Sequence, residues 1–255
     1  MISALLTSSS ELESRLPQLT GGALRHIEDA VAREDHENSL RKRNPADRLR
    51  ALSARAALRL IATHRTGRNL KDAAQLDIQH SCRQCGGPHG RPELDGVSLS
   101  SSSSARHVLA AAAEHRHHVG VDLEAIPEQV CAGFDEYALH PTERRIFSPT
   151  HGEQADQKKI EYWVLKEAVL KAAGVGLTLP PAQLLLGGTE ATTLWHSANS
   201  STTLRWRPVK ETPDSDVHGL WCCLIPSPPG YAAAMAARVL GDIVDVRAAW
   251  GLPAR

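Results

Sequence analysis

Apolar residues recur along this chain with two different periods. From Val119 to Glu124 the period is two, Val119, Val121 and Leu123 alternating with Gly120, Asp122 and Glu124. That pattern predicts a strand with one apolar and one acidic face. From Trp163 to Ala173 the period is helical. Leu165, Ala168, Val169 and Ala172 are free to face a core, while Trp163, Glu167 and Lys171 recur every four residues on one stripe. Gly174 is the expected stop.

An earlier helix is predicted to start at Asn44-Pro45-Ala46-Asp47, with Asn as N-cap, Pro at the first helical position and an acid in the first turn. Its apolar face would carry Leu49, Leu52, Ala56 and Leu60, with Arg48, Arg55 and Arg59 sharing the other side. Val108 to Ala111 reads as a short buried strand, and Ser98 to Ser104 as a strand-edge loop whose hydroxyls and amides suit an anion-binding turn. Leu139 to Arg145 contains a helix start. His151 to Lys159 is hydrophilic and reads as an exposed turn ahead of the Trp163 helix. The first forty residues hold helical patterns without firm boundaries. The tail alternates strand candidates (Thr203 to Trp206, Leu220 to Ile225, Tyr231 to Ala236) with Pro- and Gly-rich turns, and Cys222 and Cys223 fall among apolar residues as packing groups. The predicted class is α+β.

Composition narrows the function classes. At 255 residues the chain can form one large domain or two small ones. Its formal net charge of zero gives no global field toward nucleic acid or an anionic membrane, so neither is expected as a partner. Five cysteines, an odd number, do not suggest a secreted disulfide framework. The first ten residues lack a signal-peptide pattern and no run approaches a membrane span, so a cytoplasmic setting is expected. Charge is uneven locally. Ile27 to Glu37 holds five acids against one Arg, and Arg41 to Leu60 holds seven basic residues against Asp47 alone.

The candidate chemistry sits on the two periodic segments. Asp122 and Glu124 share one strand face and repel each other unless a cation intervenes; a hard divalent ion would resolve that conflict, and a solvated acidic edge would also tolerate it. Glu167 and Lys171 have the spacing of an ordinary surface ion pair, which taken alone is the simpler reading. His80, Cys82, Cys85 and His89 could supply four zinc ligands, but structural sites more often join two such pairs across a longer loop. A redox role for Cys82 and Cys85 lacks an evident βαβ context.

Taken in order, Gly120-Val121-Asp122-Leu123-Glu124, Pro141-Thr142-Glu143, Trp163-Val164-Leu165-Lys166-Glu167-Ala168-Val169-Leu170-Lys171 and Gly174-Val175-Gly176-Leu177 resemble the Sfp-type 4′-phosphopantetheinyl transferases. His89-Gly90-Arg91-Pro92 and the serine run occupy the places of two further family motifs. The resemblance implies magnesium-dependent transfer of the phosphopantetheine arm of coenzyme A to a serine of an apo acyl or peptidyl carrier protein, releasing 3′,5′-ADP. It implies Asp122, Glu124 and Glu167 as magnesium ligands, Glu167 as proton acceptor, Lys171 as catalytic phosphate contact and Glu143 as an acid near the metal. Coenzyme A would meet Arg48, Arg91, Ser100, Ser101, Lys166 and Lys171.

The implied fold is two similar α/β subdomains, residues 1–115 and 116–255, related by a pseudo-twofold with coenzyme A in the cleft between them, and a monomer is expected. One departure stands out: where the family usually carries His in a Ser-His-Ser triplet, this chain has Ser101, which can donate a hydrogen bond but brings no charge. The alternatives are a non-catalytic homologue that binds coenzyme A or a carrier, and another magnesium-dependent pyrophosphate-cleaving enzyme. The second of these lacks support from any Gly-rich phosphate loop with Lys-Ser/Thr.

Overall fold

The computed structural model describes residues 1–81, 86–87, 90–147 and 153–252. The chain runs β1 (Ile2–Ser8), α1 (Ser9–Leu19), α2 (Arg33–Leu40), α3 (Pro45–Arg65), β2 (Gln79–Ser81), β3 (Arg91–Leu94), β4 (Val97–Ser104), β5 (His107–Glu114) and β6 (Gly120–Ala125). Then follow α4 (Phe134–Ala138), α5 (Pro141–Phe147), α6 (Glu153–Ala173), β7 (Leu185–Leu186), β8 (Ala191–His196), β9 (Ser201–Glu211), β10 (Trp221–Leu224), β11 (Tyr231–Ala237) and β12 (Ile243–Asp245). The mixed α+β class is as expected. One sheet takes the order β2-β3-β4-β5-β1-β12-β8-β9-β10-β11-β6, with β7 alongside β9. β1 pairs antiparallel with β5 and parallel with β12, so the last strand of the chain joins the first and the sheet runs unbroken across residue 115.

Strand alternation divides the core into an inner and two outer layers. Ile2, Ala4 and Leu6 of β1, Leu109, Ala111 and Ala113 of β5, Val121 and Leu123 of β6, Trp206 of β9 and Met235 of β11 all meet in one cluster, which the sheet curls around. On the outer face of the early strands, Leu5, Leu99 and Val108 pack under α3. On the outer face of the later strands, Cys222, Ala234 and Ala236 pack under α6. Cys222 and Cys223 are buried packing groups as expected, with burial pushing the Cys222 thiol up to about 12.

α3 starts as its sequence dictates, the Asn44 side chain accepting from the Ala46 amide at 2.9 Å. Its faces differ from expectation at two places. Leu49 is 47 % exposed, because core contact on this helix begins only at Leu52. Arg59 is not on a wet face: it is buried, with Nε donating to Asp35 of α2 at 2.6 Å and Nη1 to the Leu76 carbonyl at 2.7 Å. The acidic run before α3 supplies the partner for the basic run within it, and burying a guanidinium demands such a partner.

Three further expectations need correction. The stretch taken as a turn before the Trp163 helix contains the first turns of α6, which begins at Glu153; a hydrophilic start is tolerated because a helix needs only one apolar stripe. Ile2–Ser8 forms β1, a central strand, where helical patterns were expected. Ser98 to Ser104 is strand β4 rather than a loop. Its odd position Leu99 faces α3, and its even serines face β6.

Those serines close the sheet. The Val119, Val121 and Ala125 amides donate to the hydroxyls of Ser98, Ser100 and Ser104 at 2.8, 3.0 and 3.0 Å. β6 is ladder-paired to β11 on its other side. Its remaining edge therefore meets hydroxyls instead of a neighbouring backbone, which satisfies donors that would otherwise be buried unpaired.

Candidate active site

The site lies where α6 crosses β6, and a glycine sets the distance. A Cβ on Gly120 would stand 2.1 Å from the Ala168 carbonyl oxygen and 2.4 Å from the Ala172 nitrogen. Only glycine lets the helix lie this close to the strand. On the same strand face come Asp122 and Glu124, and the helix stripe opposite brings Glu167 and Lys171.

Lys171 Nζ donates to Asp122 Oδ1 at 2.6 Å and to Ser102 Oγ at 3.0 Å, while Ser102 Oγ donates to the same Asp122 oxygen at 2.8 Å. Lys171 thus pairs with Asp122 on the strand and not with Glu167 on its own helix. Ser104 Oγ donates to Glu124 Oε2 at 2.8 Å. Asp122 Oδ2 and Glu167 Oε1 are buried without a hydrogen-bond partner. Burial, reinforced by the Asp122 charge, pushes Glu167 up to about 7, with Lys171 opposing the shift. Burial followed by the Asp122 charge also raises Glu124.

Among the described residues, no group of three or more His, Cys, Asp or Glu side chains stands gathered as a metal site. The donor chemistry nonetheless fits a hard divalent cation. Two buried carboxylate oxygens lack partners, and the Asp122 charge raises the proton affinity of both Glu124 and Glu167, an imbalance that a bound cation removes.

Trp163, one turn before Glu167, sits in an aromatic cluster with Phe134 and Tyr137 at ring distances of 5.9 and 5.8 Å. The other candidates fall elsewhere. Glu143 and Lys166 form a buried ion pair at 2.5 Å. Lys166 also donates to the Ala138 carbonyl at 2.9 Å, and Glu143 accepts from the His140 and Leu186 amides at 2.9 and 3.1 Å. Burial lowers Lys166, its Glu143 partner working against that. Both side chains are enclosed and committed to each other and to neighbouring backbone groups. The reason is geometric: Lys166 lies about 100° around the helix from Glu167, on the side packed into the core.

A cleft of about 1990 Å³ runs from this cluster between early and late elements, lined by Lys42, Arg55, His80, Arg91, Ser100 to Ser103, His118, Lys171 and residues 174–178. It exceeds the size of most small-molecule pockets and suits an extended ligand. Arg91 lies in β3 rather than on a loop, with Nη1 donating to the Ala172 carbonyl at 2.8 Å and Nη2 to Ser98 Oγ at 2.7 Å. It stands at the C-terminus of α6, where a cation is favoured. Arg55 reaches the His80 ring and Asp35, and burial and then the Arg55 charge lower His80 to about 4, so that imidazole is neutral. Ser100 and Ser101 point to opposite faces of β4: Ser100 is occupied by the Val121 amide, and Ser101 opens on the α3 side. Arg48 stands near the start of α3 with a weak contact to the Lys42 carbonyl at 3.5 Å. Of the proposed zinc ligands, Cys82, Cys85 and His89 lie outside the described residues.

Two contributions were not assigned from the sequence, the close helix approach at Gly120 and the Asp122 contact of Ser102. The period-two placement of Ser98, Ser100, Ser102 and Ser104 was the available signal for the second.

Strand acids, a helix acid and a lysine thus gather at the end of a long cleft. Residues 118–217, which carry all four of those groups, match the model of the 4′-phosphopantetheinyl transferase superfamily. No curated protein matches the chain. No helix among the described residues is long and apolar enough to cross a membrane.

Proposed function

We propose that this protein is an Sfp-type transferase that moves the 4′-phosphopantetheine arm of coenzyme A onto a serine of an apo acyl or peptidyl carrier protein. The observation that carries the reading is the convergence of Asp122, Glu167 and Lys171, with two unpartnered buried carboxylate oxygens, inside the segment that matches the superfamily. Asp122, Glu124 and Glu167 would hold magnesium. When bound, that ion neutralises pyrophosphate charge.

The residues do the rest by alignment and proton handling, which is most of what phosphoryl transfer requires. Glu167 takes the carrier serine proton as general base. The serine oxygen attacks the β-phosphorus, the bond to the 3′,5′-ADP oxygen breaks, and Lys171 swings from Asp122 to the leaving phosphate. Arg91, Arg48 and Ser101 would meet the adenine and 3′-phosphate end in the cleft. Glu143 and Lys166 then support the site by fixing α5 to α6. The two helices of 21 residues, each on the outer face of its own part of the sheet, support a division into related halves near residue 115. A monomer in the cytoplasm completes the reading.

The test is mass spectrometry of apo carrier proteins after incubation with coenzyme A, magnesium and this protein. A phosphopantetheine mass gain that vanishes with Glu167→Gln is expected. Coenzyme A binding with no mass gain on several carriers would transfer the conclusion to a non-catalytic homologue.

A further inference from the structure

The serine seam of β4 has one irregular rung, and it falls at the acid. Ser98, Ser100 and Ser104 each accept a backbone amide twenty-one positions further along the chain, from Val119 just before β6 and from Val121 and Ala125 within it. The same offset would give Ser102 the Leu123 amide. Its hydroxyl instead donates to Asp122 Oδ1 and accepts from Lys171 Nζ. Ser98, Ser100 and Ser104 hold backbone, Ser98 also accepting from Arg91 and Ser104 also donating to Glu124, whereas Ser102 takes no strand amide and holds the Asp122 carboxylate and the Lys171 ammonium together.

We propose that Ser102 is a positioning residue for the cation and phosphate groups of the site. Resting on the transferase reading above, the inference assigns it a task distinct from coenzyme recognition. By giving its proton to Asp122 Oδ1, Ser102 fixes the carboxylate rotamer in which Oδ2 is left without a protein partner. By accepting from Lys171, it keeps a second contact for the ammonium, so that Lys171 can leave Asp122 without losing its anchorage to β4. Hydrogen bonds to a metal-binding carboxylate commonly change cation affinity by about 10- to 100-fold when removed.

Ser100 provides an internal control, since it sits one rung away and touches only the Val121 amide. Magnesium binding to the free protein, measured by calorimetry and by the magnesium-induced rise in melting temperature, is expected to weaken about tenfold in Ser102→Ala. Ser102→Thr, which keeps the hydroxyl, should restore it. Ser100→Ala should lower the melting temperature without changing magnesium affinity.

Equal magnesium affinity in wild type and Ser102→Ala overturns the proposal. So does equal weakening in Ser100→Ala, which would make the effect a general property of the seam. Should Ser102→Ala fold poorly, Ser102→Thr against Ser102→Val, similar in shape but without the hydroxyl, makes the same comparison. A wild-type protein that binds no magnesium would instead defeat the cation reading on which the inference stands, a result distinguishable from the other two.

Discussion

Replacing Glu167 by Gln should make the metal-free protein more stable, and increasingly so as pH rises. Glu167 ionises in the fold at about 7 instead of its usual 4.5, because it is buried beside Asp122. Between those values the native state holds a proton that the unfolded chain has released. Wild-type stability therefore falls as pH rises from about 4.5 through about 7 and levels off above. A shift of this size corresponds to roughly 3 kcal/mol. Glutamine keeps the shape and carries no charge, so Glu167→Gln removes that dependence. Urea unfolding in chelator should show the two proteins converging near pH 4.5, with the variant ahead by about 2 to 3 kcal/mol at pH 8. Taking the difference between them cancels groups that titrate alike in both. Added magnesium should stabilise the wild type at pH 8 and the variant much less. A pH-independent difference, or a variant less stable at pH 8, would refute the reasoning.

Other substitutions probe other parts of the arrangement. Lys171→Ala should collapse transfer and also lower stability near neutral pH, since Asp122 loses its 2.6 Å partner; turnover and urea midpoints near wild type would restore the surface-ion-pair reading. Gly120→Ala should cost about 1 to 3 kcal/mol or more by driving α6 off the strand, and circular dichroism melts would register it. Lys166→Met should cost about 3 to 5 kcal/mol by leaving Glu143 buried without its cation, and adding Glu143→Gln should recover much of the loss; additive losses in that double-mutant cycle would contradict the pairing.

The parts legible in the sequence were those whose partners lie close along the chain. Val121 and Leu123 against Asp122 and Glu124, and the Glu167–Lys171 stripe, follow from local periodicity, which is why β6 and α6 were placed with their faces correctly assigned. Asn44 and Pro45 announced α3 for the same reason. Arg59 was misjudged because its partner Asp35 lies a helix away, and a charge at helical spacing looks solvated until that partner is known. Lys166 likewise has its partner, Glu143, far along the chain. β4 was hidden by composition: serine is a poor strand signal, and the residues that would normally advertise an inner face were hydroxyls doing the work of a neighbouring backbone. β1 was missed because it places apolar residues on both faces, Leu5 on one and Ile2, Ala4 and Leu6 on the other, and so shows no sustained alternation.

The hydroxyl seam between β4 and β6 also fixes an odd-even rule on this part of the gene product. Inserting or deleting one residue within β4 would turn Leu99-type positions inward and serines toward α3, opening the sheet where the acids stand. A change of two residues would carry the serines forward by one rung and leave the joint closed. Length variation in this strand should therefore be tolerated in pairs, and the spacing between Ser102 and Asp122 should be the quantity that such pairs are constrained to restore.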